Sequence, residues 1–400
     1  LAPDSFYHDW LAHPSPDVGY WQRLSPHATC QSVDLPMLHI GGWFDPYLRG
    51  TLRCYHEFVA RSPFPQHLWV GPWAHLPWGR KVGTRDFGPN AVSPIDAVQV
   101  RWFDTIFKGQ ASDLEHKTPV HLFEMGGNRW RSLPQWPQPS PQTWYLFSQG
   151  NAAIDERAGH LIPPPLMETR GQHGQAEPLV HDPWRPMPAL GGHAAVPSGV
   201  FDRATLDCRS DVLTYTTAPL SADLHLAGTI TATLYCTSDA PSFDLCVVLS
   251  TVTVHGAVLN MTQGYVRVNP PGTADDGSGL SAGVTPDPLP DNILPQPVTV
   301  HLQPTCVLVN AGQALRLSIS LACYPAYAVN PGTGWSVSSV DSGVDSRETP
   351  PPVTPPAGMM DARIITVTIH SNTAHPSQLQ LPAIAYLEDN LEGRPDTQSV

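Results

Sequence analysis

Two residues carry the clearest chemical possibility in this chain: Asp45, in LPMLHIGGWFDPYLRG at residues 35–50, and His75, in HLWVGPWAH at residues 67–75. Each follows a short apolar run that reads as a buried strand, and thirty positions separate them, about one strand–helix–strand unit. In an open α/β sheet, reacting groups collect at the carboxyl ends of the strands, so this spacing could bring the two side chains face to face on neighbouring strands. A carboxylate that accepts a hydrogen bond from an imidazole fixes its tautomer and stabilises the imidazolium formed when the ring takes a proton. Both residues also have plainer uses. An Asp after a strand commonly caps a turn or helix, and a His there commonly packs or faces water.

The elements that must position this pair follow from periodicity. Residues 1–34 are rich in Trp, His and Pro, and SFYHDWLAH and DVGYWQRLSP read as two short helical pieces of a cap or lid. PMLHIG is a buried strand. In YLRGTLRCYHEFVARS, Leu48, Leu52, Tyr55 and Val59 recur at helical spacing. HLWVGPWAH is a second strand, predicted to stop at Gly71-Pro72. DAVQVRWFDTIFK is an amphipathic helix with Val100, Phe103 and Phe107 on one side, and Gly109 is its stop. Strand, helix, strand, helix specifies an α/β sheet.

The period then changes. TPVHLFEMGGNRWRSLP and QTWYLFSQG alternate like strands, a Pro- and Gly-rich passage covers about 158–200, and β-branched runs from Leu206 onward are broken by Gly, Pro, Asp and Asn turns. That pattern predicts a β-sandwich or jelly roll. Residues 270–291 and 338–358 read as long or mobile loops. The expected organisation is the end of a helical cap over 1–34, an α/β part over 35–141 that carries the acid and base, and an all-β domain over 142–400.

Composition agrees and narrows the function. Charged residues are only 14% of the chain, against 45 Pro and 31 Gly, which favours turns and short strands over long surface helices. A formal charge of -13 without a basic cluster argues against nucleic acid or an anionic membrane as partner. Seven cysteines without a close pair read as free core thiols of a reducing, cytoplasmic compartment. No HExxH or Cys/His zinc spacing occurs, so no metal or cofactor is called for. Asn260-Met-Thr262 matches the glycosylation pattern, a weak signal.

PMLHIGGWFDPYLRG, GPWAH, HLFEMGGNRW, DPWRPMPALGG, DVLTYTTAPLSADLHLAGTITATLY, VNPGTG and HPSQLQLPAI, in this order, resemble the cocaine esterase and X-Pro dipeptidyl-peptidase (CocE/NonD) group of serine hydrolases. The resemblance covers essentially the whole chain. It implies an α/β-hydrolase with a helical cap and a C-terminal jelly roll that cleaves esters or amides, including Xaa-Pro peptides and α-amino-acid esters. It also implies Asp45 as the triad acid and His75 as the general base, in the order Ser, Asp, His of that fold. Trp43, Phe44, Tyr47, Trp73 and Trp78 surround the pair and are candidates to line the substrate pocket.

One part of the pattern is missing. The nucleophile of this group sits on G-x-S-x-G upstream of the acid, and Ser5, Ser15, Ser25 and Ser32 all lack the flanking glycines. GLSAG at 279–283 matches as a string, but Ser281 lies in a Pro-, Gly- and Asp-rich stretch after the His, without a strand before it or a helix after it. The expectation is therefore a C-terminal two-thirds. The serine and the oxyanion hole would come from a missing N-terminal segment or a companion chain, the first sheet strands would be lacking, and the chain alone would neither fold nor act. A homo-oligomer is compatible with this. The competing reading is an inactive piece, or a jelly roll that binds carbohydrate or protein.

Overall fold

The computed structural model describes residues 5–12, 19–25, 30, 32–110, 119–164, 174–269, 294–333 and 361–385. Two short helices stand where the sequence predicts them, α1 (Phe6–Ala12) and α2 (Tyr20–Leu24). A four-stranded sheet follows in the order β1 (Met37–Phe44), β2 (Gln66–Ala74), β5 (Val120–Glu124), β6 (Arg129–Leu133), with a small hairpin of β3 (Lys81–Val82) and β4 (Arg85–Asp86) beside it. β1, β2 and β5 are parallel and β6 returns antiparallel, so β1 and β6 are the outer strands.

The predicted stop at Gly71-Pro72 gives way to a strand that continues to Ala74. The pairing of β1 with β2 shifts register between Gly42 and Phe44, so that Gly42 faces Gly71 and Phe44 faces Ala74. Pro72 falls inside that irregularity, where its missing N–H interrupts no regular ladder bond. Helix α3 (Leu48–Arg61) crosses from β1 to β2 and buries Leu48, Leu52, Tyr55 and Phe58. Val59, predicted for that stripe, is exposed instead. A helix that returns to the sheet at 52 and 55 meets it again at 58 or 59, and the larger ring takes the buried place with the Arg61 guanidinium 4.2 Å from its centroid.

Helix α4 (Ile95–Lys108) ends on Gly109 as expected, with φ +61° in the left-handed region. Its packing differs from the prediction. The helix buries only Ile95 and Val98, and Val100, Phe103 and Phe107 are exposed. Only the first turn reaches the sheet, so the apolar stripe runs past the described residues, with Phe103 and Phe107 stacked on each other at 5.7 Å.

Beyond Leu133 the described structure is mainly β, with one short helix, Ala204–Asp207. Thirteen strands hydrogen-bond into one branched sheet. Its neighbours run antiparallel except at Thr216 and His160, where two strands meet in parallel. Ser140–Phe147 belongs to this sheet, where it pairs with Gln378–Ile384. Strand Thr231–Ser238 alternates half-buried and buried residues and so covers the core with one face, whereas Ala314–Ser320 is buried throughout. The segments expected to be long loops lie outside the described residues.

The two parts share a core. One cluster of buried side chains joins Trp43, Phe44, Leu122 and Phe123 of the mixed sheet to Leu226, Val300 and Val307 of the large one. The backbone joins them as well, because Met125 N–H donates to Cys306 O at 3.0 Å and Leu308 N–H donates to Met125 O at 2.8 Å. Beneath this seam the buried Glu124 carboxylate accepts from Arg131 and Arg129 and meets His225 Nδ1 at 2.7 Å.

Candidate active site

Gly42 lets β1 and β2 come together, because a Cβ there would collide with the Trp73 carbonyl, while a Cβ at Gly41 would press on Leu48 of α3 instead. Because Phe44 is registered with Ala74, the next residue of each strand is Asp45 on one and His75 on the other. The chain turns at once after β1: Asp45 N–H donates to Gly42 O and Leu48 N–H to Asp45 O, which starts α3.

The Asp45 carboxylate serves both uses foreseen for it. Oδ1 accepts the Tyr47 N–H at 2.8 Å, a local turn bond, and Oδ2 accepts from His75 Nδ1 at 3.1 Å. The two side chains differ sharply in exposure, 11% for Asp45 and 58% for His75. With Nδ1 as the donor, neutral His75 keeps Nε2 as an acceptor, and among the described residues no protein group bonds to it. The Tyr47 ring stands edge-on to the imidazole at 5.0 Å, and Trp78 Nε1 donates to the His75 carbonyl at 2.9 Å.

The five candidate pocket aromatics separate into two groups. Trp43, Phe44 and Trp73 are buried in the core, where the Trp43 indole donates to Phe123 O and the Trp73 indole to Ala91 O. Only Tyr47 and Trp78 border His75. Ser15 and Ser281 lie outside the described residues. Asn260 is buried, its amide bonded to Phe201 N–H and Gly199 O, so the glycosylation match has no accessible acceptor. The seven cysteines form no disulfide, and no helix among the described residues is long and apolar enough to cross a membrane.

A second layer behind the pair had no signature in the sequence. Gln303 Nε2 donates to the Asp45 carbonyl at 2.6 Å across 258 positions, and Arg49 Nη2 donates to the His301 carbonyl at 2.6 Å across 252. Burial, with the Arg49 cation nearby, pushes His193 down to about 4 and lowers His301.

The profile of the X-Pro dipeptidyl-peptidase C-terminal non-catalytic domain matches residues 112–380, and that of the X-Pro dipeptidyl-peptidase (S15 family) matches residues 1–77. The chain belongs to the CocE/NonD-like S15 peptidase and esterase family. It is 27% identical over 381 residues to a cocaine esterase of Rhodococcus sp. (strain MB1 Bresler), an alignment that takes in 93% of this chain and 60% of that protein. Among solved structures of the same fold, an aminopeptidase from a marine sediment Thaumarchaeota archaeon superposes with TM-score 0.72 at 20% identity, over 95% of this chain and 60% of that one. An alpha-amino acid ester hydrolase superposes equally well, at 21% identity over 95% of this chain and 61% of its own. This CocE/NonD-like chain thus spans about 60% of the length of the relatives it matches.

Proposed function

We propose that this chain carries the acid and base of a serine hydrolase that cleaves an ester or an Xaa-Pro or N-terminal dipeptide amide through an acyl-enzyme. The observation that carries the reading is the Asp45 Oδ2 to His75 Nδ1 bond of 3.1 Å, with the far nitrogen of an exposed imidazole left as an acceptor. The serine belongs to a G-x-S-x-G elbow on an N-terminal segment or companion chain outside these 400 residues. His75 Nε2 takes the serine Oγ proton as Oγ adds to the substrate carbonyl. The resulting imidazolium, stabilised by Asp45, gives that proton to the departing alcohol or amine, and the acyl group stays on Oγ. A water, deprotonated by the same nitrogen, then releases the acid and restores the serine.

In this reading residues 1–34 end a cap, 35–141 form the C-terminal part of an α/β-hydrolase domain, and 142–400 form a jelly-roll sandwich. Tyr47 and Trp78 border the substrate. Small esters and short peptides are the substrate class, in keeping with the esterase, aminopeptidase and ester-hydrolase names of the relatives. The test is pre-steady-state hydrolysis of a p-nitrophenyl ester of an amino acid by the active protein that contains this chain. A burst of one nitrophenol per site, abolished in His75→Ala, is expected. An undiminished burst in that variant contradicts the assignment.

A further inference from the structure

The acid-bearing turn is held by a part of the chain whose family profile is described as non-catalytic. Gln303 lies between two strands of the large sheet, Gln296–His301 and Thr305–Val309, and is 1% exposed. Its own backbone is fixed: its N–H donates to Gln263 O at 2.8 Å, and its carbonyl accepts the Thr262 hydroxyl at 2.6 Å. From that anchored position the side-chain amide reaches the Asp45 carbonyl at 2.6 Å. The amide orientation follows from this partner, since a carbonyl only accepts and the NH2 group must face it. Among the described residues Gln303 Oε1 is left buried without a partner. An apolar side chain would avoid that unmet acceptor, so the residue is poorly explained by packing alone.

Two residues earlier, the His301 carbonyl accepts from Arg49 in the first turn of α3. The segment 45–49 is thus gripped at both ends by the short stretch 301–303. With the Asp45 carbonyl held by Gln303 and Oδ1 held by Tyr47 N–H, Oδ2 is left facing His75. We infer that Gln303 is a positioning residue for the Asp45–His75 pair, by which the large β region sets the orientation of the acid. The inference rests on the catalytic reading of that pair given above.

The test compares Gln303→Leu, Gln303→Glu, Asp45→Asn and the double variant Asp45→Asn/Gln303→Leu in the active protein that contains this chain, with rates expressed per titrated active site. Removal of the donor is expected to lower kcat by about 10- to 100-fold while KM stays within about twofold, as for a misplaced catalytic group. It should also shift or broaden the downfield Nδ1–H proton resonance of His75. In the Asp45→Asn background Gln303→Leu should cost nothing further, because its effect runs through the acid. Gln303→Glu keeps the size of the side chain but has no donor when ionised, and carries the test if Gln303→Leu does not fold. Wild-type kcat per site in both single variants, or an equal fold-loss with and without Asp45, overturns this inference alone. Near-normal activity of Asp45→Asn overturns the catalytic reading and this inference with it.

Discussion

Asp45–His75 and Glu124–His225 are the same two chemical groups in opposite surroundings. The first pair meets at 3.1 Å where β1 and β2 end, with the imidazole 58% exposed. The second meets at 2.7 Å in the seam between the mixed sheet and the large sheet, with both side chains nearly buried, and the second oxygen of Glu124 accepts from Arg131 and Arg129. The closer contact is the less promising catalyst. Charge there is balanced by two guanidinium groups and held inside the core, which ties two parts of the fold together. At His75 one nitrogen is oriented by a carboxylate and the other meets no protein group among the described residues. Distance between acid and imidazole therefore does not separate a working pair from a structural one. What the far nitrogen can reach does.

That comparison breaks most clearly on rate. Asp45→Asn and His75→Ala in the active protein should each lower kcat by about 10⁴-fold and change unfolding free energy by less than about 1 kcal/mol. Steady-state kinetics beside urea denaturation checks both, and a loss smaller than tenfold would put the pair on the structural side. Glu124→Ala should do the reverse. It leaves two arginines near an unpaired buried site and should destabilise by roughly 3–5 kcal/mol in urea, with kcat per folded molecule little changed. A destabilisation no larger than that of Asp45→Asn would remove the distinction.

A histidine set beside a cation gives a third, smaller effect. Burial and Arg49 push His193 down to about 4, below the ordinary value of about 6.5. Between these values the unfolded chain binds a proton that the folded one refuses, so stability rises with pH. The contribution of neutral His193 is fully present above about pH 6.5 and is lost as pH falls toward 4, up to about 3 kcal/mol in all. Urea unfolding from pH 7 to pH 4 should show that slope, and His193→Gln should flatten it. Smallest of all is the split within the Glu124 network. Arg129, whose side chain is 32% exposed, should cost at most about 1 kcal/mol as Arg129→Gln. Arg131→Gln, at 4% exposed, should cost more.

Local signals in the sequence carried the site further than its surroundings. Apolar runs ending in GGWFD and GPWAH, separated by one helix, allowed Asp45 to lie beside His75 without requiring it; the parallel register of β1 and β2 is what brings the two together. Gly109 as a helix stop is a local signal. Periodicity failed where burial depends on a partner element: Val100, Phe103 and Phe107 form a valid helical stripe, yet only the first turn of α4 meets the sheet. Trp43, Phe44 and Trp73 stand next to the pair in sequence yet are buried, because both faces of this end of the sheet are covered: Trp43 and Phe44 belong to the shared core, and Trp73 packs with Ile95 and Val98 of α4. Gln303 and Arg49 had no readable sign. Their partners lie more than 250 positions away, and only the packing of the large sheet against the acid-bearing turn brings them together.

Labelling the active protein with a serine-directed phosphonate, followed by peptide mass spectrometry, tests the central claim most directly. A single label on the serine of a G-x-S-x-G segment outside these 400 residues, formed far more slowly in His75→Ala, is the predicted result. A label on Ser281, or labelling at an unchanged rate in the His75 variant, would contradict it.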